Sequence, residues 1–144
     1  MKDLSVIVPT KDRAGIIEES LSRLCKALEG LDAEVIVVND SATTAVDIPS
    51  GYSNVRVFRN PGSGVASARN FGAGIAEAPL LFFMDDDMWL DTTAIARIRE
   101  LGKLYPNDAV NLNWTYPEYL YQQIQYTSFG RYLIRYGFTS MKGW

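Results

Sequence analysis

The stretch Leu80-Leu81-Phe82-Phe83-Met84-Asp85-Asp86-Asp87 constrains this chain most: five apolar residues run directly into three consecutive carboxylates. The apolar run has the length and boundaries of a strand buried on both faces, as in the middle of a parallel sheet. The aspartates then fall at its carboxyl end, where open α/β sheets receive ligands. Three adjacent negative charges repel one another, and burying them unpaired is costly. A divalent cation relieves this, and hard oxygen ligands suit magnesium or manganese, ions that usually also hold substrate phosphates. In an extended backbone Asp85 and Asp87 face one way and Asp86 the other. The alternative is a solvated acidic turn that merely ends a strand.

The rest of the chain alternates in the same manner. Leu4 to Val8 is expected to be a short buried strand, stopped by Pro9. Ile17, Leu21, Leu24, Cys25 and Leu28 recur at helical spacing, with Thr10 or Asp12 available as a cap and Gly30 as a stop. Glu34 to Asn39 is a second strand ending at Asp40, Ser41 to Asn54 a loop, and Val55 to Arg59 a third strand. A second helix is expected over about residues 63–76. It is rich in small residues, and its glycines each cost about 1 kcal/mol relative to alanine, which points to close approach to the sheet or a ligand. The fourth strand is Leu80 to Met84. Asp91 caps a third helix with Ile95, Ile98 and Leu101 inward. Ala109 to Asn113 is expected as a fifth strand, and Pro117 opens a final helix to about Tyr136. Strands alternating with helices define an α/β domain with a mainly parallel sheet, right-handed crossovers and helices on both faces. Pro9-Thr10, Asp40 and Asp85 to Asp87 then line up along one edge.

Composition excludes several classes. The 144 residues suffice for one domain with a real core. The net charge of −3 carries no basic stripe, which argues against a nucleic-acid binder. No run approaches the roughly 18 apolar residues of a membrane span, and the first residues stop at Pro9 too early for a signal peptide. This points to a cytoplasmic protein, or one at the cytosolic face of a membrane. Cys25 is alone and on an apolar helix face, so packing is its expected role. The absence of histidine excludes Ser-His and Cys-His pairs and histidine-ligated zinc. Any metal is held by oxygens, and any general base is a carboxylate, lysine or tyrosine. Asn113-Trp114-Thr115 fits the glycosylation acceptor pattern, but without a secretory signal it is taken as chance.

Competing motifs fit less well. Gly62-Ser63-Gly64-Val65-Ala66-Ser67 departs from a dinucleotide fingerprint at Ser67 and follows the third strand rather than the first. No Gly-Lys-Ser/Thr occurs, so a P-loop is absent. Asp85 and Asp87 have the spacing of a phosphotransferase aspartate pair. Such a pair belongs after the first strand, followed by Thr or Val, whereas Met88 and Trp89 follow here.

The ordered set Ser5-Val6-Ile7-Val8-Pro9-Thr10, Val37-Val38-Asn39-Asp40-Ser41, Asn60-Pro61-Gly62 through Ala68-Arg69-Asn70-Phe71-Gly72, and Phe83-Met84-Asp85-Asp86-Asp87 resembles glycosyltransferase family two. The likeness covers about residues 3–105. It implies the GT-A fold, a Rossmann-like nucleotide-binding α/β half joined to an acceptor-binding half. It also implies a metal-dependent inverting hexosyl transfer from a nucleoside diphosphate sugar, with UDP the expected nucleotide, to a glycan, lipid or small-molecule acceptor. Asp40 occupies the position that reads the uracil edge, its competing reading being a turn or cap residue. Pro9 and Thr10 line base and ribose. Arg69 faces the diphosphate, for which a guanidinium is suited. Asp85 and Asp87 match the Asp-x-Asp motif, Asp85 near ribose and metal and Asp87 on the metal. Asp86 is its variable middle position, counted with the donor-side residues. The cation, manganese or magnesium, bridges the diphosphate and stabilises the leaving group.

The resemblance also implies a carboxylate base beyond the fifth strand. Glu118 is the only acidic residue after Asp108 and sits near a predicted helix start, where capping explains it. The expected organisation is therefore a donor-binding domain over residues 1–113, with an aromatic-rich helical segment, 114–144, opening a truncated acceptor side. That segment carries Tyr116, Tyr119, Tyr121, Tyr126, Tyr132 and Tyr136. Packing against an acceptor half, an acceptor platform or a homo-oligomer interface would each use such a surface. Two other readings remain open: a nucleotide-sugar-binding module without transfer, and an aspartate-dependent phosphotransferase.

Overall fold

Seven apolar or small residues in a row build the first strand, β1 (Leu4–Thr10), and the apolar run Val35–Val38 forms the centre of β2 (Ala33–Asn39); both are buried along their whole length. The computed structural model describes residues 2–48 and 51–112. Within them the elements run β1, α1 (Ala14–Ala27), β2, β3 (Val55–Arg59), α2 (Gly64–Gly74), β4 (Leu81–Phe83) and α3 (Thr92–Leu104). Contacts divide the chain into two units, Met1–Pro106 and Asn107–Trp144, and the elements from β1 to α3 all belong to the first.

The four strands form one parallel sheet in the order β3-β2-β1-β4. This order fixes where the helices go. The crossover from β1 to β2 moves across the sheet one way, and that from β3 to β4 moves the other way. Right-handed crossovers therefore put α1 and α2 on opposite faces. The packing agrees: Ala68 of α2 is buried with Ile36 and Val38, while Val6, Val8, Val35 and Val37 on the alternate face are equally buried. The reversal occurs beside β1 and makes a topological switch point at the carboxyl ends of β1, β2 and β4.

Helix α2 lies close to the sheet because it can. A Cβ on Gly72 would stand 2.6 Å from Cγ2 of Ile7 on β1, inside any permitted contact. The small residues singled out in the sequence thus serve close approach to the sheet at this position. At the amino ends of the strands a polar cluster fastens the far end of α2. Buried Glu34 accepts from Ser5 Oγ at 2.6 Å, from the Glu77 N–H at 2.7 Å and from Arg56 Nη2 at 2.6 Å. Ser5 Oγ in turn accepts from the Ala78 N–H at 3.1 Å.

Three expectations are corrected. The β4 run is not buried on both faces: among the described residues it pairs with β1, and Phe83 is 45% exposed. Apolar composition alone does not fix how far a strand is covered. Helix α1 is not capped by Thr10 or Asp12. Thr10 is still in β1, Asp12 adopts a left-handed backbone (φ 55°), and Arg13 stands at the cap position, its side chain making no capping bond to the helix. Residues 109–112 of the expected fifth strand carry no strand pairing; four residues offer too little periodicity to specify one. The Asp91 cap is present, its carboxylate accepting from the Ala94 N–H at 2.7 Å, and Ile95 and Ile98 are buried. Asn113, Glu118, the Pro117 helix and the tyrosine-rich segment lie outside the described residues. Among those described, no helix is long and apolar enough to cross a membrane.

Candidate functional site

The carboxyl ends of β1, β2 and β4 open into a cleft of about 360 Å³, lined by Pro9, Thr10, Asp40, Asp85, Asp86 and Asp87 together with Lys11, Arg13, Gly64, Val65 and Ala68. Arg69 joins it through Asp85, its Nη2 donating to Oδ1 at 2.6 Å. The structure thus brings together every candidate residue that lies within the described part of the chain.

Asp40 follows β2 and caps the start of α2 from outside the helix. Its Oδ1 accepts from Asn60 Nδ2 at 2.6 Å, both its oxygens accept from the Gly64 N–H at 3.1–3.2 Å, and Oδ2 accepts from Lys11 Nζ at 3.1 Å. Gly64 presents that N–H from a left-handed backbone, φ +82°, which a glycine adopts without strain. The Asn60 bond, followed by those of Lys11 and Gly64, holds the Asp40 carboxyl below its ordinary range. A carboxylate at a helix amino terminus is stabilised by the exposed N–H groups. The cap geometry weighed from the sequence is therefore present, with Oδ2 turned toward the exposed Lys11.

The three aspartates divide their work unevenly. Asp86 is 7% exposed and turns inward: Oδ2 accepts from Thr10 Oγ1 at 2.7 Å and Oδ1 from Arg13 Nη1 at 3.1 Å. The same Nη1 reaches Asp87 Oδ2 at 3.2 Å, and these two carboxylates, Asp86 foremost, raise the Arg13 pKa. Asp85 and Asp87 are exposed. Their exposure is set by a turn rather than by the extended alternation expected from the sequence: the Met88 N–H donates to the Asp85 carbonyl at 3.2 Å, and Asp87 shares Arg13 Nη1 with Asp86. Arg69 Nε is buried and has no hydrogen-bond partner among the described residues, a spare N–H donor beside the acidic turn.

The donor set suits a hard divalent cation in its chemistry. Magnesium is usually held by one or two carboxylates plus substrate phosphates rather than by an all-protein cage, and Asp85 and Asp87 are two accessible carboxylates on one turn. Among the described residues no group of three or more acidic, histidine or cysteine side chains converges on one point.

Sequence reasoning missed Lys11, Arg13, Asn60 and Gly64. The run Lys11-Asp12-Arg13 directly after a strand end carried a signal, since two cations there face any anion at the switch point. Their division of labour depends on Asp12. Its left-handed turn sends Lys11 to Asp40 and Arg13 to Asp86 and Asp87, while its own carboxylate accepts from Ser41 Oγ at 2.5 Å. Cys25 is buried, and burial pushes its thiol up to about 11, which fits the packing role.

The four carboxylates and three cations gather at the switch point of a parallel α/β sheet, where folds of this class receive their ligands. Residues 5–142 match the model of glycosyl transferase family 2, and the chain belongs to that family. It is 42% identical over 89 residues to validoxylamine A glucosyltransferase of Streptomyces hygroscopicus subsp. jinggangensis, covering 57% of this chain and 21% of that protein. It is 30% identical over 105 residues to dolichol-phosphate mannosyltransferase of Pyrococcus furiosus, covering 69% and 30% respectively. The chain thus spans about a fifth to a third of the length of these curated relatives. Among solved structures it resembles S. aureus TarS with a TM-score of 0.60 at 28% identity, covering 75% of this chain and 20% of that one. It also resembles S. aureus TarS 1–349 in complex with UDP-GlcNAc, with a TM-score of 0.55 at 24% identity over 74% and 32%. The GT-A type of α/β fold expected from the sequence is thereby established.

Proposed function

We propose that this chain provides the donor site of a metal-dependent, inverting glycosyltransferase that uses a nucleoside diphosphate sugar, UDP-sugar foremost. The observation that carries the reading is the meeting in one cleft of Asp40 and the Asp85–Asp87 turn, from separate strand ends, with Arg69 of α2 bonded to Asp85. In this reading Pro9 and Thr10 flank base and ribose, and Asp40 accepts the base N–H. Arg69 and Arg13 exchange carboxylate partners for diphosphate oxygens. A guanidinium makes that exchange readily because phosphate offers it the same forked geometry. Asp85 and Asp87 hold manganese or magnesium, which supplies neutralisation of the charge developing on the leaving diphosphate.

The charge balance supports this assignment. The cleft holds four carboxylates against three cations, and a dianionic donor arriving with a divalent cation leaves that balance unchanged. Residues 1–113 form the donor-binding part and 114–144 lead toward the acceptor side, with association between copies a further use of that segment. Glu118 is the acidic candidate for the base that deprotonates the acceptor, a glycan, lipid or small molecule.

Calorimetry of UDP and UDP-GlcNAc binding, with manganese and with chelator, tests the proposal. Binding should require the metal, and Asp87→Ala should remove both that requirement and most of the affinity. Equal affinity for UDP in chelator would eliminate the metal role, and no affinity under either condition would eliminate the donor site.

A further inference from the structure

Asn60 stands immediately after β3 and is 7% exposed, with all four hydrogen-bonding positions of its amide in use. Nδ2 donates to Asp40 Oδ1 at 2.6 Å and to the Gly64 carbonyl at 3.3 Å. Oδ1 accepts from Ser67 Oγ at 2.9 Å and from the Gly62 N–H at 3.2 Å. Its backbone N–H donates to the Asn39 carbonyl at 2.8 Å. The amide has one possible orientation, because a carboxylate only accepts and so must face the NH₂ group. Gly62 keeps the arrangement compact: a Cβ there would stand 2.3 Å from Ser67 Oγ.

Three of the four partners belong to the turn that opens α2, and the fourth is Asp40, on the cleft. Asp40 has two kinds of neighbour. Asn60 and the Gly64 N–H are fixed by burial and backbone. Lys11 is 61% exposed on a flexible stem and is the charged group facing Asp40, since Asp12 of the same loop is bound to Ser41.

We propose that Asn60 is the positioning residue for Asp40. By holding Oδ1 with a short bond, it leaves Oδ2, which shares the Gly64 N–H at 3.1 Å and meets Lys11, as the edge that receives a ligand N–H once Lys11 swings away. This deepens the donor reading above and rests on it. Asn60 never touches the ligand, yet it decides whether Asp40 presents a correctly turned acceptor. Within the site it therefore governs the contribution of the base, not that of the diphosphate.

The test compares UDP with inorganic pyrophosphate as ligands of the full chain in manganese, across about pH 5.5 to pH 8. Asn60→Asp preserves shape and sets two carboxylates against each other, so one of the pair holds a proton more tightly. UDP affinity should fall about ten- to a hundred-fold at the alkaline end and recover toward the acid end, while pyrophosphate affinity stays within about two-fold. Asn60→Ala should weaken UDP with no such recovery. Three results would overturn the inference. A wild-type pH profile for Asn60→Asp, alongside UDP loss in Asp40→Ala, removes Asn60 and leaves the donor reading intact. Equal loss of UDP and pyrophosphate marks a collapsed turn. Undiminished UDP binding by Asp40→Ala removes the base-reading role and this inference with it.

Discussion

Thr10 Oγ1 donates to Oδ2 of Asp86 at 2.7 Å, joining the end of β1 to the turn after β4 across the switch point. Thr10 is 4% exposed and Asp86 7%. The bond therefore fixes the spacing between the two lips of the cleft, and the middle aspartate acts inward while its neighbours face the opening.

Replacing Asp86 with alanine should accordingly cost stability. Thr10 would keep a buried hydroxyl without its acceptor and Arg13 would lose one partner, a penalty of about 1–3 kcal/mol. Asp85→Ala removes an exposed pair with Arg69 and should cost no more than about 1 kcal/mol. Urea denaturation of both variants measures the difference; equal losses would show that Asp86 does not act inward.

Arg13 occupies the acidic turn that the metal reading assigns to a cation. Its Nη1 stands 3.1 Å from Asp86 Oδ1 and 3.2 Å from Asp87 Oδ2. Arg13→Gln should therefore tighten manganese binding in the absence of nucleotide, by about two- to ten-fold at low salt, with the gain shrinking as salt screens the exposed charges. Electron paramagnetic titration of free manganese reads this directly. Weaker manganese binding would mean that Arg13 organises the turn rather than competing for it.

The Glu34 cluster predicts a pH dependence of folding. Burial alone would raise the Glu34 pKa, but the hydrogen bonds from Ser5, the Glu77 N–H and Arg56 outweigh it and hold the group below its ordinary value of 4.5. A carboxyl depressed in the folded state contributes stability that is fully present above the unfolded pKa and lost as pH falls through the folded one. Thermal melts should show that loss beginning near pH 4.5 and continuing downward. Glu34→Gln should flatten this acid limb and lower stability at neutral pH. An unchanged acid limb would place the pH sensitivity elsewhere.

Much of this architecture is legible in the amino-acid order. Val6 to Val8 and Val35 to Val38 are continuous apolar runs that only a doubly covered strand accommodates, and their alternation with the Ile17–Leu28 and Ile95–Leu101 periodicities implies the parallel α/β sheet. The strand-end rule then brings Thr10, Asp40 and the aspartates together without further information. The pairings within the cleft are not legible in the same way. Arg13 and Asp86 are 73 positions apart, and their meeting involves a left-handed backbone at Asp12, a conformation aspartate visits occasionally and that no local pattern announces. The partial exposure of β4 likewise depends on what packs around it, which local periodicity does not encode.

The contact between Gly72 and Ile7 sets a limit on how this domain can diversify. Ala66 and Asn70 on the outer side of α2 are exposed, so drift there is absorbed by water. A single methyl group at position 72 would have to displace a branched side chain in the middle of β1 and would carry Arg69, one turn earlier, away from Asp85. The loops around the cleft can thus change with little cost to the sheet, while the seat of α2 tolerates no added side chain.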